Sequence, residues 1–221
     1  MQPTILIVED EPGLRDVLAR SLQSDGFSVT AVATGHELMR EALRRSPDAL
    51  IIDIGLPDAD GRDVCSALRT RGIDAPVLFL TARDALTDRI SGFHSGGDDY
   101  VTKPFDLAEV AVRLQALLRR ARSVPEQTFD GLTFDPSELT ISSGGVTQPL
   151  TPTEFRLLAA LAGRSGRALT RRELTAAAWP HGAVVHDNTL DVFIARLRRK
   201  LRDVPQAPTI ITVHGHGYRL R

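Results

Sequence analysis

Five short apolar runs recur through the first half of the chain: "TILIV" (4–8), "FSVTAV" (27–32), "ALIID" (49–53), "PVLFLT" (76–81) and "DYVT" (99–102). Between them apolar residues return at three-to-four spacing: Leu14, Val17, Leu18 and Leu22; then Leu38, Ala42 and Leu43; then Val64 and Leu68; then Leu107, Val110, Leu114, Leu117 and Leu118. That spacing predicts amphipathic helices between strands. Alternating strands and helices build a parallel sheet with right-handed crossovers and helices on both faces. The runs are continuously apolar, as in strands covered on both sides. Residues 1–121 are therefore expected to form a doubly wound α/β domain on a five-stranded parallel sheet. Cys65 lies on an apolar helix pattern and reads as a small core residue.

The pattern breaks at "RRARSVPEQ" (119–127), which is charged, contains a proline and has no apolar period. Residues 122–127 are predicted to be a linker. Short strand-like pieces follow in "LTFDPSELTISSGGVTQPL", with turn residues at "DP" and "GG". Three helices are then expected: "TPTEFRLLAALAG", capped by Thr151 or Thr153; "TRRELTAAAW", opening at Thr170; and "NTLDVFIARLRRKL". "TIITVHGHGYRL" reads as a closing hairpin. Residues 128–221 thus predict a second, α+β domain.

The ends of the first-half strands carry the chemistry. Glu9 and Asp10 follow the first strand, Asp53 ends the third, Thr81 the fourth and Lys103 the fifth. In an open parallel sheet such ends converge on one edge, where ligands bind. Adjacent carboxylates are tolerable around a hard divalent cation, and Mg²⁺ takes oxygen ligands and pairs with phosphate. Glu11 points to solvent or caps a helix. Lys103 precedes Pro104, so it stays extended whichever isomer the bond adopts. Its ammonium can pair with Asp53 at rest and with an anionic oxygen later. Asp106 with Glu109 reads as a capping box.

Taken together, "VEDE", "DIGLPDADG", "TAR" and "GGDDYVTKPF" resemble the receiver domain of bacterial two-component response regulators over about residues 3–121. The resemblance implies a CheY-like (flavodoxin-like) strand order and a phosphoacceptor at Asp53. It implies Mg²⁺ held by Glu9, Asp10, Asp53 and the Gly55 carbonyl, directly or through water. Thr81 and Lys103 are then the phosphoryl-binding groups, and Tyr100 the aromatic whose rotation reports the state. A sensor histidine kinase is the implied donor. Active receivers of the family pair through the last two helices and last strand, where Arg89, Asp98, Asp99, Glu109 and Arg113 match. One acidic position of that surface is Ser95 here.

The second half resembles the winged helix-turn-helix output domain of the OmpR/PhoB family, through "LTPTEFRLLAALA", "ALTRRELTAAAW", "NTLDVFIARLRRKL" and "TVHGHGYRL". The resemblance implies binding of double-stranded promoter DNA as a homodimer, and contact with RNA polymerase. Read by itself, the third helix has a buried stripe at Leu190, Ile194, Leu197 and Leu201. The opposite face then presents Val192, Ala195, Arg196 and Arg199, flanked by Thr189, Arg198 and Lys200, with Asn188 at the helix start. Such a face suits a major groove, with Arg196 reading guanine and Val192 or Ala195 meeting a thymine methyl. The wing carries His214, Gly215 and His216. Relatives usually place arginine at position 214, and a long polar group at 195.

Charge agrees with this division. Residues 1–127 carry 15 basic and 20 acidic residues, and residues 128–221 carry 12 and 8. The acidic part can hold a cation and the basic part a polyanion. No apolar run approaches the roughly 18 residues of a membrane span, no signal-peptide pattern precedes the first strand, and the lone Cys65 forms no internal disulfide. A cytoplasmic protein without a membrane partner is expected. The chain is expected not to be an enzyme beyond its own phosphorylation and dephosphorylation. A Mg-dependent phosphatase of similar topology needs a second carboxylate two residues beyond the nucleophile, where this chain has Gly55. The alternative is a phosphorylation-independent DNA-binding regulator with a vestigial receiver pocket.

Overall fold

The computed structural model describes residues 2–82, 97–118, 127–164, 166–179 and 187–221. Contacts divide the chain into two compact units, Met1–Leu118 and Arg119–Arg221.

In the first unit, strands β1 (Thr4–Val8), β2 (Ser28–Val32), β3 (Ala49–Asp53), β4 (Val77–Ala82) and β5 (Asp99–Lys103) form one sheet in the order β2-β1-β3-β4-β5. Every pairing is parallel. Helices α1 (Pro12–Ser24), α2 (Gly35–Arg45), α3 (Gly61–Thr70) and α4 (Leu107–Leu118) connect and flank it. Successive side chains of a strand point to opposite faces, and here both faces are covered. Ile5, Ile7, Ile51, Leu78 and Leu80 pack with Leu18 and Leu22 of α1 and with Val110 and Leu114 of α4. Leu6, Val8, Leu50, Ile52 and Phe79 pack with Leu38 and Ala42 of α2 and with Val64, Cys65 and Leu68 of α3. Val17 and Leu43, expected on core stripes, are instead 40% and 56% exposed. Each stands beside its stripe, not on it.

Local signals set the helix starts. Pro12 occupies the first turn of α1, where its missing N–H costs nothing. Thr34 accepts from the Glu37 N–H to cap α2, and Asp60 accepts from the Arg62 N–H to cap α3. At α4, Asp106 accepts from the Ala108 N–H at 2.9 Å. Neither half of the expected reciprocal box forms: Asp106 serves the Ala108 N–H in place of that of Glu109, and the Glu109 carboxylate accepts from Arg113 Nε and Nη2 at 2.9 and 2.8 Å. A charge-assisted pair one turn along the helix outcompetes a neutral backbone N–H.

In the second unit, β6 (Gln127–Phe129), β7 (Leu132–Asp135), β8 (Thr140–Ser143) and β9 (Val146–Pro149) form an antiparallel meander in sequence order. Two of its turns, Asp130-Gly131 and Gly144-Gly145, have positive φ at both central residues, the hairpin geometry that matches strand twist. Gln127, expected in the linker, already belongs to β6 and pairs with Phe134. The rest of the expected linker, 122–126, lies outside the described residues. Then come α5 (Pro152–Ala162), β10 (Leu169–Thr170), α6 (Arg171–Ala178), α7 (Asp187–Arg202), β11 (Ile210–Val213) and β12 (Gly217–Leu220). Thr151 and Thr170 cap α5 and α6, each in a reciprocal box with Glu154 or Glu173. Strands β10, β12 and β11 make a three-stranded antiparallel sheet in that order, and residues 214–216 form the hairpin tip.

Candidate functional sites

The parallel register brings the ends of β1, β3, β4 and β5 to one edge. Glu9, immediately after β1, is fully buried, and Asp53, the last residue of β3, is 6% exposed. Between them sits Lys103, the last residue of β5. Its Nζ donates to Asp53 Oδ2 at 2.7 Å and to Glu9 Oε2 and Oε1 at 2.8 and 3.0 Å. Asp10 is exposed, and carboxylate oxygens from Glu9, Asp10 and Asp53, one from each, lie within 4.8 Å of one another. Burial, with the nearby Asp53 charge, pushes the Glu9 carboxyl above its ordinary value despite the Lys103 hydrogen bond. Burial opposes the charge on Lys103 as well, but its hydrogen bonds to Asp53 and Glu9 outweigh it and hold the ammonium above its usual pKa. The pocket thus concentrates negative charge that one ammonium only partly offsets, and its hard oxygen donors fit a cation such as Mg²⁺.

The remaining pocket residues fall at the same edge. Gly55 is exposed, and its N–H donates to Asp53 Oδ1 at 3.3 Å. Thr81 is buried near the end of β4, its hydroxyl donating to the Ala82 carbonyl at 3.4 Å. Tyr100 stacks on Phe79 with ring centroids 5.2 Å apart. The Lys103–Pro104 bond is cis. Glu11 is exposed and makes no side-chain cap for α1; its N–H donates to Glu9 Oε1 at 3.4 Å.

Two residues here were not singled out from the sequence. Gly61 opens α3 so close to the Asp53 carbonyl that a Cβ has no room. Arg15 of α1 donates from Nη1 to the carbonyls of Glu9 and Asp10 at 2.8 and 3.1 Å. A glycine at a helix start and an arginine on an amphipathic helix are too common to stand out in sequence.

The charges expected at a pairing surface are largely committed inside the first unit. Asp98 is fully buried: its Oδ2 accepts from Arg69 Nη2 at 3.1 Å and from the Val77 N–H at 3.0 Å. As an exposed interface charge, Asp98 is therefore corrected. Asp99 is also buried and accepts from Arg113 Nη1 at 3.1 and 3.3 Å, while Arg113 holds Glu109 as well. Burial raises the Asp99 carboxyl pKa against the pull of Arg113. Arg89 and Ser95 lie outside the described residues.

In the second unit, Leu190, Ile194, Leu197 and Leu201 of α7 are buried, as their spacing predicts. A second buried row stands beside them: Thr189, Val192, Phe193, Arg196 and Lys200. The expectation that Val192 and Arg196 face outward is corrected by this row. The Arg196 guanidinium lies 4.7 Å from the Phe193 ring centroid, and the charges of Lys200 and Arg196 act on Glu154 of α5. Lys200 Nζ is 3.0 Å from Glu154 Oε2 and donates to the Pro149 carbonyl at 2.9 Å. Burial of Glu154 favours its neutral form, but these two cations outweigh it and hold the carboxyl below its ordinary pKa.

The outward row of α7 is Asp191, Ala195, Arg198, Arg199 and Arg202, of which Ala195, Arg199 and Arg202 are exposed. Arg198 donates to the Ile210 carbonyl and to Thr212 Oγ1, both at 2.9 Å, tying α7 to β11. Asp191 Oδ1 accepts from Arg171 Nη1 at 2.7 Å and from the Tyr218 hydroxyl of β12. His214, Gly215 and His216 are exposed at the hairpin tip, and Gly215 has φ of 69°. Asn188 belongs to α7, but its side chain lies outside the described residues. The result is one exposed basic helix face tied to one exposed hairpin, the layout of a winged DNA-binding module. Among the described residues no helix is long and apolar enough to cross a membrane.

Comparison with known proteins agrees with both halves. Residues 5–115 match the response regulator receiver domain, and residues 145–220 match the C-terminal domain of transcriptional regulatory proteins. The transcriptional regulatory protein AfsQ1 of Streptomyces coelicolor is 38% identical, covering 99% of this chain and 98% of its own. The response regulator MprA of a Mycobacterium species is 39% identical, covering 100% and 98%. Among solved structures, a mutant of RitR superposes with a TM-score of 0.74 at 28% identity, covering 99% of both chains. The response regulator DrrB, an OmpR/PhoB homologue from Thermotoga maritima, superposes with a TM-score of 0.53 at 28% identity, covering 100% and 99%. With a receiver domain followed by a winged-helix output domain, this chain belongs to the OmpR/PhoB-type response regulators of two-component systems and is a transcription regulator.

Proposed function

We propose that Asp53 accepts a phosphoryl group from a sensor histidine kinase, and that the modified chain pairs with a second copy and binds promoter DNA. The observation that carries this reading is the Lys103 ammonium held between Asp53 and buried Glu9, beside a three-carboxylate cluster. Asp53 attacks phosphorus with one carboxylate oxygen. The donor's P–N bond breaks, its electron pair stays on the imidazole nitrogen, and the new O–P bond makes an acyl phosphate. Glu9, Asp10, Asp53 and the Gly55 carbonyl are the groups that would hold Mg²⁺, which when bound would offset charge developing on the phosphoryl oxygens.

Lys103 then exchanges its bond to Asp53 for one to a phosphoryl oxygen. The new group brings about −1.5 to −2 charge at pH 7. Thr81 turns its hydroxyl from the Ala82 carbonyl to the phosphoryl group, and Tyr100 slides on Phe79 into the space vacated. That is a local charge change biasing a two-state element.

On DNA, α7 lies in the major groove with Ala195, Arg198, Arg199 and Arg202 outward, and the tip at His214, Gly215 and His216 reaches backbone or minor groove. Thr189, Val192, Arg196 and Lys200 serve this face mostly from behind, by fixing the helix. Dimerisation raises affinity for paired half-sites by effective concentration. The working chain is cytoplasmic, engages RNA polymerase at the promoter, and has no activity beyond its own phosphorylation and dephosphorylation.

The test is intact mass after incubation with acetyl phosphate, with and without Mg²⁺, beside Asp53→Asn. One added phosphoryl group that needs both Mg²⁺ and Asp53 is expected. No gain in mass from acetyl phosphate or from phosphoramidate overturns the reading in favour of a phosphorylation-independent regulator.

A further inference from the structure

We infer that Arg15 is a positioning residue for the cation pocket, acting through the backbone of the two residues that supply its first carboxylates. The inference rests on the cation reading above and concerns a group that cannot itself be a ligand. Arg15 is half-buried on the first turns of α1. A single nitrogen, Nη1, donates to two consecutive carbonyls, Glu9 at 2.8 Å and Asp10 at 3.1 Å. Its own N–H donates to the Glu11 carbonyl at 2.9 Å, the first turn of the same helix. Three successive carbonyls of the β1–α1 loop are thus held by this one residue. The upstream side is fixed separately, by the Glu9 N–H donating to the Val32 carbonyl at 3.2 Å.

The consequence is geometric. Turning the carbonyls of residues 9 and 10 toward Arg15 sets the peptide planes from which the Glu9 and Asp10 side chains depart. It also occupies two hard oxygens that, left free, compete with the carboxylates for a hard cation. Asp10 gains most, because it is exposed while Glu9 is locked by burial and Lys103. Groups that orient ligands in this way typically change metal affinity by about 10–100-fold when lost.

Electrostatics makes the opposite prediction. A guanidinium near a divalent cation repels it, so if Arg15 mattered only through its charge, removing it would strengthen cation binding. The sign of the effect therefore separates the two roles.

The experiment is calorimetric titration of the unphosphorylated full-length chain with Mg²⁺, well below its melting temperature. Wild type is compared with Arg15→Gln, Arg15→Lys and Arg20→Gln, the last removing an exposed charge from the same helix. Arg15→Gln and Arg15→Lys are expected to weaken Mg²⁺ about tenfold, with Arg20→Gln unchanged. Because Arg15→Lys keeps the charge, its loss of affinity isolates the paired carbonyl contacts. Arg15→Gln binding as tightly as wild type or more tightly overturns the inference, as does wild-type affinity in Arg15→Lys. A wild-type chain that takes up no Mg²⁺ overturns the cation reading itself, an outcome distinct from either.

Discussion

The Lys103 ammonium lies 2.7 Å from the Asp53 carboxylate and uses its other donors on Glu9, so the proposed phosphoacceptor is ion-paired in the unmodified chain. Replacing Lys103 by Met leaves Glu9, Asp10 and Asp53 without their counter-charge. Lys103 is partly exposed, so solvent screens part of the loss, and a cost of about 1–2 kcal/mol in metal-free buffer is expected. Saturating Mg²⁺ should recover more stability in the variant than in wild type, because the cation then does the work of the missing ammonium. Thermal melts with Mg²⁺ and with chelator check this; equal Mg²⁺ gains in the two proteins count against the shared charge role.

Arg196 and Arg199 are three residues apart on α7 yet differ in exposure: the first is buried over Phe193, the second faces outward. Arg196→Ala is expected to lower the stability of the output unit by about 1–3 kcal/mol, through lost packing and an under-compensated Glu154. Arg199→Ala should leave the melting temperature unchanged, weaken binding across DNA sequences and reduce the salt slope by about one. Melting curves alongside binding at several salt concentrations separate the two. A reversed pattern would return Arg196 to base reading and Arg199 to packing.

Glu154 and Lys200 form a buried pair between α5 and α7. Glu154→Gln removes the counter-charge of a buried ammonium, and a loss of about 3–5 kcal/mol is expected at neutral pH. Because the folded carboxyl is held below its ordinary pKa, its contribution is fully present above the ordinary glutamate range. It disappears as pH falls through the lower, folded value. The stability gap between wild type and Glu154→Gln should therefore narrow on acidification. Denaturant titrations from neutral to acid pH measure it, and a gap that stays constant contradicts the pairing.

Asp98 is interior to the first unit. Its carboxylate holds Arg69 and the Val77 N–H with no exposed surface. Asp98→Ala should destabilise the unphosphorylated monomer by about 3–5 kcal/mol. A variant that melts like wild type but fails only to pair would move Asp98 back to the interface.

The sequence by itself determined the receiver fold and its pocket. Five continuously apolar strands joined by helices leave a parallel sheet as the compact arrangement, and a parallel sheet aligns all strand ends at one edge. Residues at those ends, Glu9, Asp53, Thr81 and Lys103, therefore fall along that edge, and the strand order that makes them neighbours is what the family resemblance implied. Only the tertiary structure decided which charges face inward. Periodicity marked Leu190, Ile194, Leu197 and Leu201 as buried, but Arg196, Lys200 and Asp98 read as surface charges because an isolated charge belongs in water. Each is buried because a partner distant in sequence meets it: Glu154 beside Arg196 and Lys200, and Arg69 beside Asp98. Arg15 was hidden for a related reason, since its partners are backbone carbonyls, and carbonyls leave no mark in a sequence.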